Sequence, residues 1–175
     1  MTQGQFVQFI IIVIVFFLSI VFFFSKKRFN RHKHNQKKAT QVLKKISSFE
    51  HQGQQIGYLR KIDPFVFEEL LLNAFEFKGY KVIRNKKYTG DGGIDGIVFD
   101  HHGNKILIQA KRYASYINPQ HIATFQLVLQ KKKAVKGFFI HTGKTSSSTR
   151  DQFRHSNIIL IGGSKLLYLI KQPLD

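Results

Sequence analysis

The chain has 175 residues, with 28 lysine and arginine side chains against ten aspartate and glutamate, and it carries a formal charge of +18. A positive charge of this size favours a polyanionic partner, such as nucleic acid or an anionic membrane surface. The sequence contains no cysteine, which excludes disulfide bonds and thiolate metal sites and is consistent with a reducing compartment.

The first predicted element is an apolar segment at residues 5–24. Between Phe6 and Phe24 the only polar residues are Gln8 and Ser19, and none is charged. About 19 residues at 1.5 Å each give roughly 28 Å, close to the thickness of a bilayer hydrocarbon core. A cleaved signal peptide is the alternative, but it has a basic region before a shorter apolar stretch, whereas here the basic residues follow. We therefore predict an uncleaved membrane-spanning helix.

A basic linker at residues 25–60 follows the predicted membrane helix. Residues 1–60 carry ten basic side chains and one acidic side chain, all of them after the apolar segment. Because basic residues beside a membrane helix stay in the cytoplasm, we expect the N-terminus outside and the remaining domain inside. Nucleic acid and anionic lipid both suit this charge, and the position beside the membrane favours lipid. One short helix is predicted at residues 40–49, and no core residue is expected before Tyr58.

Residues 61–175 are predicted to form one α/β domain that opens with a helix. Asp63 is a suitable N-cap, Pro64 suits the first turn, and Gly79 suits a left-handed position after the C-terminus. Apolar residues at helical spacing form one buried stripe, which consists of Phe67, Leu70, Leu71, Ala74 and Phe75. Glu68 lies beside this stripe, so its carboxyl group is expected close to the core.

Strands and helices alternate through the rest of this domain. The pattern predicts strands at residues 81–84, 94–99, 105–109, 138–142 and 158–161, and helices at residues 118–133, 147–156 and 164–171. A hairpin turn at residues 100–104 is expected to join the second and third strands. The element order is α-β-β-β-α-β-α-β-α, and about 115 residues in this order suffice for one α/β domain with its own core.

The residues with the clearest chemical meaning lie near the second and third strands. Asp95 is in a glycine-rich segment, and Gln109-Ala110-Lys111 begins fourteen residues later, at the end of an apolar run. Because alternate side chains of a strand share a face, Gln109 and Lys111 are expected to point the same way. The Asp95 carboxylate and the Gln109 and Ala110 carbonyls are oxygen ligands of the kind magnesium prefers, and Lys111 can hold the attacking water. The spacing alone also fits a turn aspartate before an ordinary strand.

These motifs together resemble the catalytic domain of Mrr-type restriction endonucleases. That family belongs to the PD-(D/E)xK nuclease superfamily, in a branch where glutamine replaces the glutamate before the lysine. The resemblance covers about residues 61–171 and rests on Phe67-Glu68, Gly79-Tyr80, Gly90 to Gly96, Gln109 to Tyr113, and Ile158 to Gly163 followed by Leu166-Leu167. It implies an α/β fold of the restriction-endonuclease type, with a central mixed sheet flanked by helices.

The resemblance also implies a catalytic site and its partners. Asp95, Gln109 and Lys111 would form the catalytic core, with Glu68 as an acid on the helix. The implied cofactor is Mg²⁺, for which Mn²⁺ can substitute, and the implied partner is double-stranded DNA, with a homodimer as a further expectation. Residues beside the active-site strands are expected to contact the DNA backbone, namely Lys86, Lys87, Tyr88, Arg112 and Tyr113.

The sequence also departs from this family. Typical Mrr restriction enzymes carry an N-terminal winged-helix module that helps to select DNA, and no segment here is patterned to supply one, so target specificity is open. The expected function is a membrane-anchored, metal-dependent DNA endonuclease that acts against foreign or modified DNA. The alternative is a membrane-tethered DNA-binding protein that has lost cleavage, because glutamine is a weaker metal ligand than a carboxylate.

Overall fold

The computed structural model describes residues 3–85 and 93–171. They belong to two compact units, Met1–Asn35 and Gln36–Asp175. The elements are α1 (Gln3–Ser47), α2 (Gln52–Leu59), α3 (Pro64–Phe77), β1 (Lys81–Arg84), β2 (Gly96–Phe99), β3 (Lys105–Lys111), α4 (Pro119–Lys131), β4 (Lys136–His141), α5 (Ser147–Gln152), β5 (Ile158–Ile161) and α6 (Gly163–Ile170). From α3 onwards this is the predicted order of elements, with boundaries that differ by a few residues.

The N-terminal unit contains the apolar part of α1. The segment Gln3–Phe23 has 21 residues with a mean hydropathy of 3.1, and it is long and apolar enough to cross a membrane. A signal sequence near an N-terminus meets the same two criteria. Length and composition alone therefore do not distinguish a membrane-spanning helix from a signal sequence here.

Residues 36–60 differ from the predicted linker. The structure has helix up to Ser47 and a further helix in α2, where only one short helix was expected. Ala39, Val42 and Ile46 are buried in the same core as α3, so the prediction that no core residue precedes Tyr58 is wrong. The apolar residues 39, 42, 43 and 46 follow a helical spacing, and the polar residues between them, at positions 40, 41, 44 and 45, hid this pattern.

The second unit is built on one mixed sheet of the predicted kind. Its strand order is β1-β2-β3-β4-β5. The first three strands pair antiparallel, and β3, β4 and β5 pair parallel. The carboxyl ends of the three parallel strands therefore share one edge.

The predicted turn between β2 and β3 is closed by Asp100. Its carboxylate accepts hydrogen bonds from the backbone N–H groups of His102 and Asn104, both at 2.9 Å.

Helices cover both faces of the sheet, and alternate residues of β3 point to opposite faces. Ile106 and Ile108 pack in the cluster formed with α3 and α6, whereas Leu107 packs in the cluster formed with α4. The predicted alternation along this strand is thereby confirmed. Gln109 and Lys111 continue the register of Leu107, so they belong to the α4 face of the strand.

Helix α3 has the predicted ends. The Asp63 carboxylate accepts hydrogen bonds from the N–H groups of Phe65 at 2.8 Å and Val66 at 3.3 Å, which satisfies two free donors of the first turn. Gly79 has φ +83°, the left-handed conformation expected after the helix. All five residues of the predicted stripe are buried. The helix is thus fixed at both ends, and the position of Glu68 is fixed with it.

The buried residues of α1 generate a prediction about truncation. We expect a fragment of residues 36–175 to unfold cooperatively in urea, and a fragment of residues 58–175 to be much less stable, because the shorter one lacks Ala39, Val42 and Ile46. In the longer fragment, Ile46→Ala should lower the free energy of unfolding by about 2–4 kcal/mol. Lys38→Ala on the exposed side is the control, with an expected change within about 0.5 kcal/mol. Equal stability of the two fragments would contradict this assignment of the core.

Candidate active site

Asp95 lies immediately before β2, and two hydrogen bonds hold it against β3. Its N–H donates to the Ile108 carbonyl at 2.8 Å. Its carboxylate Oδ2 accepts from the Ala110 N–H at 2.6 Å. Because both partners belong to β3, the carboxylate lies beside the end of that strand. The structure therefore brings Asp95 to Gln109-Ala110-Lys111, as the sequence motif requires.

Gln109 is buried, and its amide group is oriented by the backbone. Its Nε2 donates to the Gly93 carbonyl at 2.8 Å. A carbonyl can only accept, so the amide nitrogen must face Gly93 and the amide oxygen must face away. Gly93 has φ +81°, and a Cβ atom there would lie 2.8 Å from Nε2, so the residue at this position has to be glycine. The Gln109 Oε1 is buried and accepts no hydrogen bond from residues 3–85 and 93–171.

Glu68 is half-buried on α3 and within electrostatic reach of the same site. Burial and, in decreasing order, the negative charges of Asp95, Glu69 and Asp63 together raise the pKa of Glu68 from 4.5 to about 8. The positive charge of Lys111 acts in the opposite direction. Glu68 therefore keeps its proton at neutral pH in the metal-free protein.

The adjacent Glu69 has a structural role that the sequence did not reveal. Its side chain is 1% exposed, and it forms an ion pair with Arg84 at 3.1 Å. Arg84 also contacts Glu76 at 2.8 Å and Asn73 at 2.7 Å, which joins β1 to α3. Glu69 lies three residues after the buried Val66, and this spacing is the signal that could have placed it in the core. Glu69 is therefore engaged with Arg84, and Glu68 is the neighbouring glutamate whose carboxyl group interacts with Asp95.

The side chains at this edge fit a hard divalent cation. The available donors are oxygen atoms from Asp95, Glu68 and Gln109, which are the ligand type of magnesium and manganese. The buried Gln109 Oε1 that accepts no hydrogen bond would be satisfied by a cation. Within residues 3–85 and 93–171, no group of three histidine, cysteine, aspartate or glutamate side chains could hold a metal ion. A ligand set at this site consequently needs the amide of Gln109 or the main-chain carbonyl of Ala110.

The predicted DNA contacts fall into two groups. Lys86, Lys87 and Tyr88 lie outside the residues that the structure describes. The Arg112 guanidinium donates to the Arg60 carbonyl at 3.2 Å and to the Ile62 carbonyl. The Tyr113 hydroxyl lies 2.6 Å from Nδ1 of His121. These two side chains thus have partners within the protein, and they connect the end of β3 to the segment before α3 and to α4.

Comparisons with known proteins agree with this geometry. The family model Mrr_cat, described as a restriction endonuclease, matches residues 59–170, and the chain belongs to this family. The type IV methyl-directed restriction enzyme EcoKMrr of Escherichia coli K12 is 33% identical over 120 residues, which cover 64% of this chain and 39% of that enzyme. The solved structure of the MspJI restriction endonuclease in complex with a 27-mer oligonucleotide is similar, with a TM-score of 0.53 and 21% identity.

The similarity to MspJI covers 70% of this chain and 31% of that chain, and it shows the restriction-endonuclease-like fold. This chain spans less than half the length of both relatives. Restriction endonucleases of the PD-(D/E)xK superfamily generally use divalent metal ions, which agrees with the oxygen donors at this edge of the sheet.

The raised pKa of Glu68 generates a prediction about pH and stability. The native state holds this proton more tightly than the unfolded chain, so Glu68 makes the metal-free protein less stable as the pH rises from 4.5 to about 8. Glu68→Gln removes this loss. We expect the variant to gain about 1–2 kcal/mol relative to the parent between pH 5 and pH 8, after allowance for solvent screening.

The measurement is urea unfolding of parent and variant in the presence of a chelator. The exposed Glu50→Gln is the matched control, and it should leave the pH dependence of the parent unchanged. If Glu68→Gln and the parent lose stability in parallel over this pH range, the carboxyl group does not have a raised pKa.

Proposed function

We propose that this chain is a metal-dependent DNA endonuclease that is tethered to a membrane and hydrolyses phosphodiester bonds in foreign or modified DNA. The observation that carries the proposal is the buried Oε1 of Gln109, which accepts no hydrogen bond from the residues that the structure describes. The next residue of the strand, Ala110, donates its N–H to the Asp95 carboxylate. A buried acceptor without a donor is costly in a stable fold. A bound cation removes that cost and supplies a reason for the arrangement.

Each residue of the site has a proposed task. Asp95, the Gln109 side chain and the Ala110 main-chain carbonyl would hold Mg²⁺, for which Mn²⁺ can substitute, and a cation there would supply compensation for the negative charge that develops on the phosphate. Lys111 holds the attacking water against the phosphorus atom, and its positive charge favours hydroxide. Glu68 is the acid of the site, because burial and the negative charges around it keep its proton at neutral pH.

Double-stranded DNA is the proposed substrate. Residues 61–175 carry eighteen basic and nine acidic side chains, and this excess favours the phosphate backbone. Among the relatives, EcoKMrr is named as methyl-directed, and the MspJI structure contains an oligonucleotide. We propose that Lys86, Lys87, Tyr88, Arg112 and Tyr113 contact the backbone near the cut. One site cleaves one strand at a time, so we also propose a homodimer for cleavage of both strands.

A tethered DNA-binding protein without nuclease activity is the second candidate. Gln109 is uncharged and Glu68 holds its proton at neutral pH, so Asp95 is the one ionised carboxylate of the proposed set. Such a site binds a divalent cation more weakly than one with two ionised carboxylates. The family to which the chain belongs favours cleavage over binding alone.

We propose a domain organisation of a membrane helix at residues 5–24, a basic segment at residues 25–35, and a nuclease domain that begins at about residue 36, because Ala39, Val42 and Ile46 belong to its core. The excess of basic residues after the apolar segment supports an N-terminus outside and a nuclease domain in the cytoplasm. The same residues favour contact with anionic lipid. A tether of this kind would concentrate the nuclease where DNA enters the cell.

Cleavage of plasmid DNA by the detergent-solubilised full chain tests the proposed activity. We expect nicking or linearisation with millimolar Mg²⁺ or Mn²⁺ and none in excess EDTA. Asp95→Ala and Lys111→Ala should each lose at least about a hundredfold in rate, whereas DNA affinity should change little because phosphate contacts are spread over many side chains. Gln109→Glu should retain activity or increase it.

The exposed Lys131→Ala on α4 is the control for the loss of one positive charge, and it should cut like the parent. Undiminished cleavage in EDTA would refute the metal, and full activity of Lys111→Ala would refute its catalytic role. A parent that binds duplex DNA tightly but never cuts it would support the binding-only candidate.

Protease digestion of spheroplasts tests the proposed topology. A protease added outside intact spheroplasts should leave the C-terminal domain undigested, and it should degrade this domain after the membrane is permeabilised. A domain in the cytoplasm follows from the basic residues after the apolar segment. Digestion of the domain in intact spheroplasts would reverse the orientation, and release of a shortened soluble chain would indicate a cleaved signal peptide.

A further inference from the structure

A cleft of about 820 Å³ lies beside the carboxyl ends of β4 and β5, and we call it the β4–β5 cleft. Four basic residues line it, namely Lys144, Arg150, Arg154 and Lys165, and the described residues of its lining include no acid. Arg154 is partly neutralised by Asp151 at 2.6 Å. Arg150, Lys144 and Lys165 are exposed, so their charges favour an anion that enters from solvent.

The N-terminus of α6 opens onto the same cleft. Its N-cap is Gly162, which provides no side-chain cap for the first N–H groups of the helix. Gly162, Gly163, Ser164 and Lys165 all line the cleft. Uncapped N–H groups at the start of a helix, together with the helix dipole, favour negatively charged oxygen atoms.

His141 supplies an independent observation at the floor of the cleft. It is 2% exposed, and its Nε2 lies 3.2 Å from the Thr145 hydroxyl, whereas its Nδ1 makes no hydrogen bond within the described part of the chain. Its ring packs directly on Gly162, where a Cβ atom would overlap it. Burial lowers the pKa of His141 to about 4, although the Gly143 backbone acts in the opposite direction. The imidazole is therefore neutral at neutral pH.

One tautomer of neutral His141 offers a hydrogen-bond donor at this position. When its Nε2 accepts from the Thr145 hydroxyl, the ring proton must be on Nδ1. In that tautomer the buried Nδ1–H has no acceptor of hydrogen-bonding geometry among the described residues, although the Gly143 backbone acts on the ring, and a ligand oxygen would supply one. The basic side chains, the α6 N-terminus and this donor all favour an anionic oxygen group.

We propose that the β4–β5 cleft binds a phosphate group of a nucleotide, one strand away from the catalytic edge. Lys111 and His141 are paired residues of β3 and β4, so the cleft begins beside the catalytic lysine. Its volume exceeds that of a phosphate alone, and Tyr116 and Ile159 are exposed at its lining and can pack against a base or sugar. The proposal deepens the proposed nuclease function and rests on it for the identification of the ligand as a nucleotide.

Two sources of this phosphate are distinguishable by binding measurements on the full chain in detergent and EDTA. One probe is a short fluorescein-labelled DNA duplex, read by anisotropy, and it represents a strand that flanks the cut. The other probe is dAMP, read by calorimetry, and it represents a free nucleotide. The cleft variant is Arg150→Ala with Lys165→Ala. The control is Lys131→Ala with Lys132→Ala, which removes the same charge from exposed positions at the end of α4.

We expect the cleft variant to weaken binding of the duplex by about tenfold or more, against less than about threefold for the control. Loss of dAMP binding in the cleft variant with unchanged duplex affinity would identify a free nucleotide as the ligand. The charge-conserving variant Arg150→Lys with Lys165→Arg should retain most of the affinity, which excludes a folding defect at these positions. Equal effects of the cleft and control variants on both probes would overturn the proposal.

Plasmid cleavage by the parent protein separates this proposal from the nuclease function. An active parent whose cleft variant binds both probes like the control refutes the cleft alone. An inactive parent whose probe binding still depends on Arg150 and Lys165 refutes the nuclease function, and the nucleotide site remains.

Discussion

The antiparallel pairing of β2 with β3 is the constraint on which the candidate active site depends. Gly96 is paired with Ile108, and the residue before it, Asp95, uses its N–H on the Ile108 carbonyl and its carboxylate on the Ala110 N–H. A slip of one residue in this pairing would turn Gln109 and Lys111 to the opposite face. The register is protected by the buried side chains of Ile106, Leu107 and Ile108 on both faces of the strand. Core packing and site geometry are thus specified by the same residues.

The division of labour between two adjacent glutamates is a second consequence of the fold. On a helix, neighbouring residues point about 100° apart, so Glu68 and Glu69 cannot face the same environment. Arg84 forms an ion pair with Glu69 and compensates its buried negative charge. Glu68 has no such ion pair among the salt bridges of the described residues, and its carboxyl group titrates under the influence of Asp95 and Lys111. Because Arg84 on β1 pairs with Glu69, Glu68 is the glutamate whose carboxyl group interacts with Asp95.

Much of the fold was predictable because its signals are local. The cap at Asp63, the left-handed Gly79 and the turn at Asp100 are each fixed by residues close in sequence, and the structure has all three. The core residues of α1 were missed because polar residues separate them. His141 was missed for a different reason: a histidine at the end of an apolar strand carries no local sign that its ring will pack on Gly162, twenty-one residues later in the chain. Long-range contacts of this kind depend on the sheet order, which the element pattern does not specify.

The glutamine at position 109 affects the electrostatics of the site as well as the oxygen donors that the site offers. A carboxylate there would place another negative charge near Asp95 and would raise the pKa of Glu68 further, because like charges disfavour ionisation. An amide supplies an oxygen atom without that repulsion, and its nitrogen gains the hydrogen bond to the Gly93 carbonyl. A carboxylate oxygen cannot donate this bond. The metal-free fold is therefore easier to form with glutamine, whereas a carboxylate at this position would attract a divalent cation more strongly.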